Sequence, residues 1–218
     1  MFAQVLSLLR KEFLLELRHK TGLAGVMVYS LASIYICYLA FRQVIDPLTW
    51  NALLWIILLF AATNAVAKSF MSESRGLQLF YYTILNPRAV IVAKSIYNIA
   101  FLLVVTLLNF IAYSLLLGNQ VQDQAMFLCG LLLGVSALAI ILTLVSALVS
   151  RAGNSATLMA ILGFPLLIPL LITVIHFSKN AIQGLGWAVN QPYLIVLIAL
   201  NVLCFTLSFL LFPYLWHE

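Results

Sequence analysis

Ala125–Leu148 reads AMFLCGLLLGVSALAIILTLVSAL, 24 consecutive positions without a charged residue. As a helix at 1.5 Å per residue this run is about 36 Å long, enough to cross a hydrocarbon core of about 30 Å. It lacks period-two alternation, so a barrel strand is a poor reading. Outward from it lie five more such runs: Leu23–Phe41, Trp50–Ala67, Ser95–Leu117, Ala156–Phe177 and Tyr193–Trp216. The six together cover over half of the 218 residues. The spacing predicts an all-α membrane protein with six transmembrane helices in a single membrane domain over residues 1–218.

The composition agrees. The chain is 65% apolar and 8% charged, against roughly 45–50% and about 25% in soluble domains. A chain of this size cannot hide that surplus inside a globule. This excludes a soluble enzyme, a disordered chain and a nucleic-acid module. The net charge of +5 reflects topology rather than nucleic acid, because the cations flank the apolar runs. Residues 1–22 are too charged and too long for a cleavable signal, so the first run is expected to stay as a span. Cys37, Cys129 and Cys204 lie inside apolar runs with no C-x-x-C pattern and no nearby His. They read as packing residues, with no metal site and no covalent c-type haem on this chain.

Orientation follows from Lys and Arg. Arg10, Lys11, Arg18 and Lys20 precede span one; Lys68, Arg75, Arg88 and Lys94 lie between spans two and three; Arg151 follows span four. Only Arg42 and Lys179 fall on the other side. The positive-inside rule then puts both termini in the cytoplasm, together with residues 68–94. The external segments are 42–49, 118–124 and the longer 178–192, which is expected to dip into the interface with Trp187 at headgroup depth.

The first segment is amphipathic. Phe2, Val5, Leu6, Leu9, Phe13 and Leu17 fall within about 120° on a helical wheel, with Arg10, Lys11 and Arg18 elsewhere. Glu16 and Lys20 form an i,i+4 pair in the favourable order. Two readings stand: a membrane-surface helix anchoring span one, or an elbow helix that also touches a cytoplasmic partner. Glu12 and Glu16 tilt toward the second, because acids gain nothing against anionic lipid. Residues 70–87 begin polar, continue as an apolar helix-like run and are expected to stop at Asn86-Pro87. Aromatic and charged residues outside the membrane make this loop a candidate docking surface.

Three patterns fall in order along this frame: Lys11-Glu12-Phe13-Leu14-Leu15-Glu16-Leu17-Arg18 in the first segment; Glu73, Arg75-Gly76-Leu77-Gln78, Leu85-Asn86-Pro87 and Ala93-Lys94 in the first cytoplasmic loop; and Phe164-Pro165-Leu166-Leu167-Ile168-Pro169-Leu170 in the fifth span. On these the chain resembles a known family, cytochrome c maturation protein B (CcmB, also haem exporter protein B), the membrane subunit of the cytochrome c maturation ABC transporter. The family's N-terminal pattern is Lys-Asp/Glu-Leu-x-x-Glu-x-Arg. Gln78 stands where many members have an acid, and Tyr81-Tyr82-Thr83 replaces a Leu-rich run. The resemblance implies a type-2 ABC exporter permease fold with a separate ABC ATPase subunit carrying ATP and Mg. It also implies haem-handling membrane subunits and a haem chaperone as partners, and haem as the substrate. Two copies of the chain per complex fit that frame, as does a bacterial inner-membrane location. It points to Glu73, Arg75, Gln78, Tyr81, Tyr82 and Pro87 as the ATPase-coupling residues, with Glu12, Glu16 and Arg18 on the interfacial helix. The competing readings are a type-2 ABC permease for another substrate, such as a polysaccharide, lipid or drug, and a membrane scaffold without an ATPase.

The chemistry the chain lacks fits that division of labour. A phosphate cradle G-x-x-x-x-G-K-[ST] is absent, as is any Gly-Lys dipeptide. On the transporter reading, ATP binding therefore belongs to a partner. No Asp or Glu lies deep in a span, which argues against a proton relay. Pro165 and Pro169 each remove a helix hydrogen bond and mark a candidate kink in span five. Gly130 and Gly134 give span four a small face for close helix packing. His176 lies near a span end and reads as a polar anchor. Gly134-Val135-Ser136-Ala137 resembles the serine motif of rhomboid-type proteases, but the sixth span holds no His within Tyr193–Trp216 to serve as its base.

Overall fold

The computed structural model describes residues 2–19, 21–41, 44–66, 86–151 and 156–217. Among them are seven helices and no strand. They are α1 (Phe2–His19), α2 (Thr21–Phe41), α3 (Pro47–Val66), α4 (Pro87–Leu117), α5 (Gln124–Arg151), α6 (Ala156–Ile182) and α7 (Trp187–His217). Helices α2 to α7 are each long and apolar enough to cross a membrane. The protein is an all-α membrane protein.

Helix α5 is the centre of the bundle. Of its most apolar window 72% is buried, against 17% for α2 and for α7. It packs against α3, α4, α6 and α7, while α2 sits outside on α3 and α4. Apolar burial gives little drive between helices in lipid, so close approach and polar bonds carry the assembly. Both devices are present. A Cβ on Gly130 would run into the Phe177 ring, and one on Gly134 would lie 2.6 Å from Val174 and 2.8 Å from Trp55. The small face of α5 is therefore spent inside the chain, on α6 and α3.

The two ends of the bundle are held differently. At the end bearing Gly118 and Gly184, polar side chains tie the helices together. The Ser178 hydroxyl lies 2.8 Å from Asn51 Oδ1 and accepts from Trp55 Nε1 at 2.9 Å; Asn51 Nδ2 donates to the Ile175 carbonyl at 3.1 Å. Tyr113 donates to the Trp50 carbonyl at 3.0 Å, and Trp50 Nε1 donates to the Gly118 carbonyl at 3.0 Å. Asn190 Nδ2 donates to the Phe177 carbonyl at 3.0 Å. At the opposite end, bearing Pro87, α1 packs across the start of α4.

Three boundaries differ from the sequence reading. Asn86-Pro87 starts a helix: the Asn86 side chain accepts from the Arg88 amide, and Pro87 fills the first helical position. There the missing N–H costs nothing and the fixed φ suits the helix. Residues 87–94, expected as loop, therefore add two turns to α4. Residues 178–192, expected as a longer external segment between spans, are two helix ends joined by a tight turn. Gly184, at φ 68°, takes the left-handed conformation; its amide bonds to the Ala181 carbonyl and that of Leu185 to the Asn180 carbonyl. This pair of bonds is a Schellman stop. Finally, α3 begins at Pro47, three residues before the expected Trp50, because Asp46 caps it through the Thr49 amide at 3.0 Å. Helix α6 runs on through Pro165 and Pro169, both exposed on its surface.

Candidate functional site

The site is built around the first two turns of α4. Asn86 and Pro87 launch the helix, and Ala89, Val90, Ile91 and Ala93 are all buried. Val90, Ile91 and Ala93 form a cluster with Leu8 of α1, Ala147 of α5 and Phe212 of α7, with Val5 and Leu9 packed on it. Four helices thus meet in one apolar knot. Beside it the Arg88 guanidinium sits 5.1 Å over the Phe209 ring of α7, a cation–π contact of about 0.5–2 kcal/mol.

This arrangement divides the expected apolar face of α1. Val5 and Leu9 turn to the bundle together with Leu8, whereas Phe2 (84% exposed), Leu6 (61%) and Phe13 (45%) stay outside. Glu12 lies on the bundle side. Lys94, the last cation before the third apolar run, is 4% exposed. Its Nζ is 3.6 Å from Glu12 Oε1, and Lys11 Nζ is 3.3 Å from the same oxygen. Glu16 also points inward: Oε1 accepts the Leu23 amide of α2 at 2.7 Å, and Oε2 accepts the Tyr97 hydroxyl at 3.4 Å. The Phe13 ring meets Tyr97 edge-on at 5.3 Å. Both acids are engaged within the chain, so their presence on α1 no longer favours a cytoplasmic partner over the membrane-surface reading.

Of the residues singled out from sequence, Glu12 lies beside this knot and Pro87 one turn before it, Glu16 lies one turn further along α1 against Leu23 and Tyr97, and Arg18 occupies the last turn of α1. Glu73, Arg75, Gln78, Tyr81 and Tyr82 lie outside the described residues, as does Lys20. The segment that holds the first five joins Val66 of α3 to Asn86, so it ends at the knot. Pro165, Pro169, Gly130 and Gly134 lie elsewhere, on α6 and α5. Lys94 and Tyr97 were missed as site residues. The signal was there: a residue that caps, a Pro behind it and an apolar run to Ala93 are a helix start.

The remaining candidates find ordinary surroundings. His176 is exposed and stacks on Tyr193, with centroids 5.8 Å apart. The Ser136 hydroxyl donates to the Leu132 carbonyl at 2.7 Å. Cys37, Cys129 and Cys204 are free thiols. Among the described residues no group of three His, Cys, Asp or Glu could hold a metal ion.

One family model, described as CcmB protein, matches residues 3–214. The chain has no match among curated proteins and none among solved structures. The matched stretch takes in α1, all six long helices and the knot that joins them: the chain belongs to the CcmB family, a membrane component of the cytochrome c maturation haem exporter.

Proposed function

We propose that the chain is the permease subunit that turns ATP hydrolysis on a separate ATPase chain into haem export or into release of the haem-loaded chaperone. The observation that carries this reading is the docking of α1 on the start of α4, where the segment bearing Glu73, Arg75, Gln78, Tyr81 and Tyr82 ends. A push on that segment is delivered to Pro87. From there a helix of 31 residues runs the length of the bundle.

The Pro87 end faces the cytoplasm. Nine of the eleven cations belong to this side of the sequence, and Arg42 and Lys179 to the other, the bias that sets orientation in a bacterial inner membrane. Both termini are then cytoplasmic. The ATPase subunit docks on this end, and the haem-handling membrane subunits lie alongside the bundle.

The test is a paired charge reversal, Glu73→Lys with Arg75→Glu, in the assembled complex. The protein should reach the membrane in normal amount while covalent haem in c-type cytochromes falls about tenfold. Unchanged cytochromes would remove the coupling role of this segment.

A further inference from the structure

We propose that Glu16 is the positioning residue of the elbow between α1 and α2. Its carboxylate joins three helices at one point: it belongs to α1, caps the Leu23 amide of α2 and receives the Tyr97 hydroxyl of α4. The first amides of a helix have no partner inside it, and the partial positive charge there favours an anion. Glu16 supplies both from outside the helix it caps, seven residues upstream of Leu23. The Tyr97 ring is held between Phe13, edge-on at 5.3 Å, and Phe101 at 6.0 Å. Its hydroxyl is therefore aimed rather than free.

Gly22 is a second mark of the same device, seen from the α2 side. It is a helical residue with ordinary backbone geometry and an exposed surface, so neither turn conformation nor core packing calls for glycine. Glycine is among the poorest helix formers. What it permits is the approach of Glu16: a Cβ on Gly22 would stand 2.9 Å and 3.0 Å from the two carboxylate oxygens. Gly25, three residues on, has nothing within 4 Å of such a Cβ. With Glu12 and Lys94 one turn away on the same interface, the starts of α2 and α4 are carried by α1 as one body.

The consequence for cytochrome maturation rests on the coupling role proposed above; the elbow itself does not. The experiment uses the full complex in lipid nanodiscs, with Cys37, Cys129 and Cys204 replaced by Ser and spin labels at Ser7→Cys and Tyr29→Cys. The distance between labels should be narrowly distributed in this parent and in Gly25→Ala, and should broaden in both Glu16→Ala and Gly22→Ala. Unchanged widths in those two variants would overturn the proposal. In Gly22→Ala the ATPase activity of the purified complex should stay within about twofold while covalent cytochrome haem falls about tenfold, the size of coupling losses at a distance. Loss of both activities together would mark general misfolding and overturn the positioning role. Broadened distances with normal cytochromes would keep the elbow and overturn the coupling reading.

Discussion

At Gly130 a single methyl decides whether α5 and α6 can meet, because it would occupy the space of the Phe177 ring. Gly130→Ala should lower stability by about 1–3 kcal/mol, the usual cost of overpacking. Detergent unfolding of the purified protein checks this. Ser178 is the second pressure point, since its hydroxyl serves Trp55 and Asn51 at once. Ser178→Ala should cost about 1–3 kcal/mol by leaving buried polar atoms without partners. Asp46 acts at the surface. Hydrogen bonds from Thr49, its side chain first and its amide second, hold the Asp46 carboxyl below the usual range. A depressed value stabilises above the unfolded pKa of about 3.9 and is lost as pH falls through the folded one. The start of α3 should therefore hold from pH 8 to 5 and loosen only in stronger acid, a loss that Asp46→Asn abolishes. At this scale the sequence displayed Gly130-x-x-x-Gly134 as a small face but not its partners. Phe177, Val174 and Trp55 lie 40 or more positions from the glycine each one meets, and no local pattern links them.

Helices were legible by length and apolarity, and their ends were not. Asn86-Pro87 reads as a stop when approached from the preceding apolar run and as a start when approached from Ala89. The same two residues allow both readings, because proline disfavours helix before it and favours helix after it; the residues before Asn86 lie outside the described ones, and the start is what the structure describes. The direction of Glu12 was equally hidden. On α1 alone it looks like a surface acid; only the approach of α4 gives it Lys94. Replacing Glu12 by Ala would leave Lys94, 4% exposed, without this carboxylate. Docking of α1 should weaken by about 1–3 kcal/mol. Hydrogen exchange should then rise across α1 and residues 87–94 while α5 remains protected. Equal protection in the variant would show that the apolar knot of Leu8, Val90, Ile91, Ala93, Ala147 and Phe212 holds α1 unaided.

The whole molecule is a bundle pinned by polar bonds at the Gly184 end and clasped by an external helix at the Pro87 end. Sidedness can be read with a reporter fused after Asp123, where a periplasmic signal is expected and a cytoplasmic one would invert the topology. The six-span frame and the family were both legible in the sequence, because bilayer thickness imposes run length and the three family patterns fall in order along it. The clasp was not, because it depends on side chains from α1, α2 and α4 meeting in space. Service to cytochrome c maturation is read by staining membranes for covalent haem in a strain deleted for this chain. The staining of c-type cytochromes should vanish and return when the chain is supplied on a plasmid; undiminished cytochromes in the deleted strain would rule that service out.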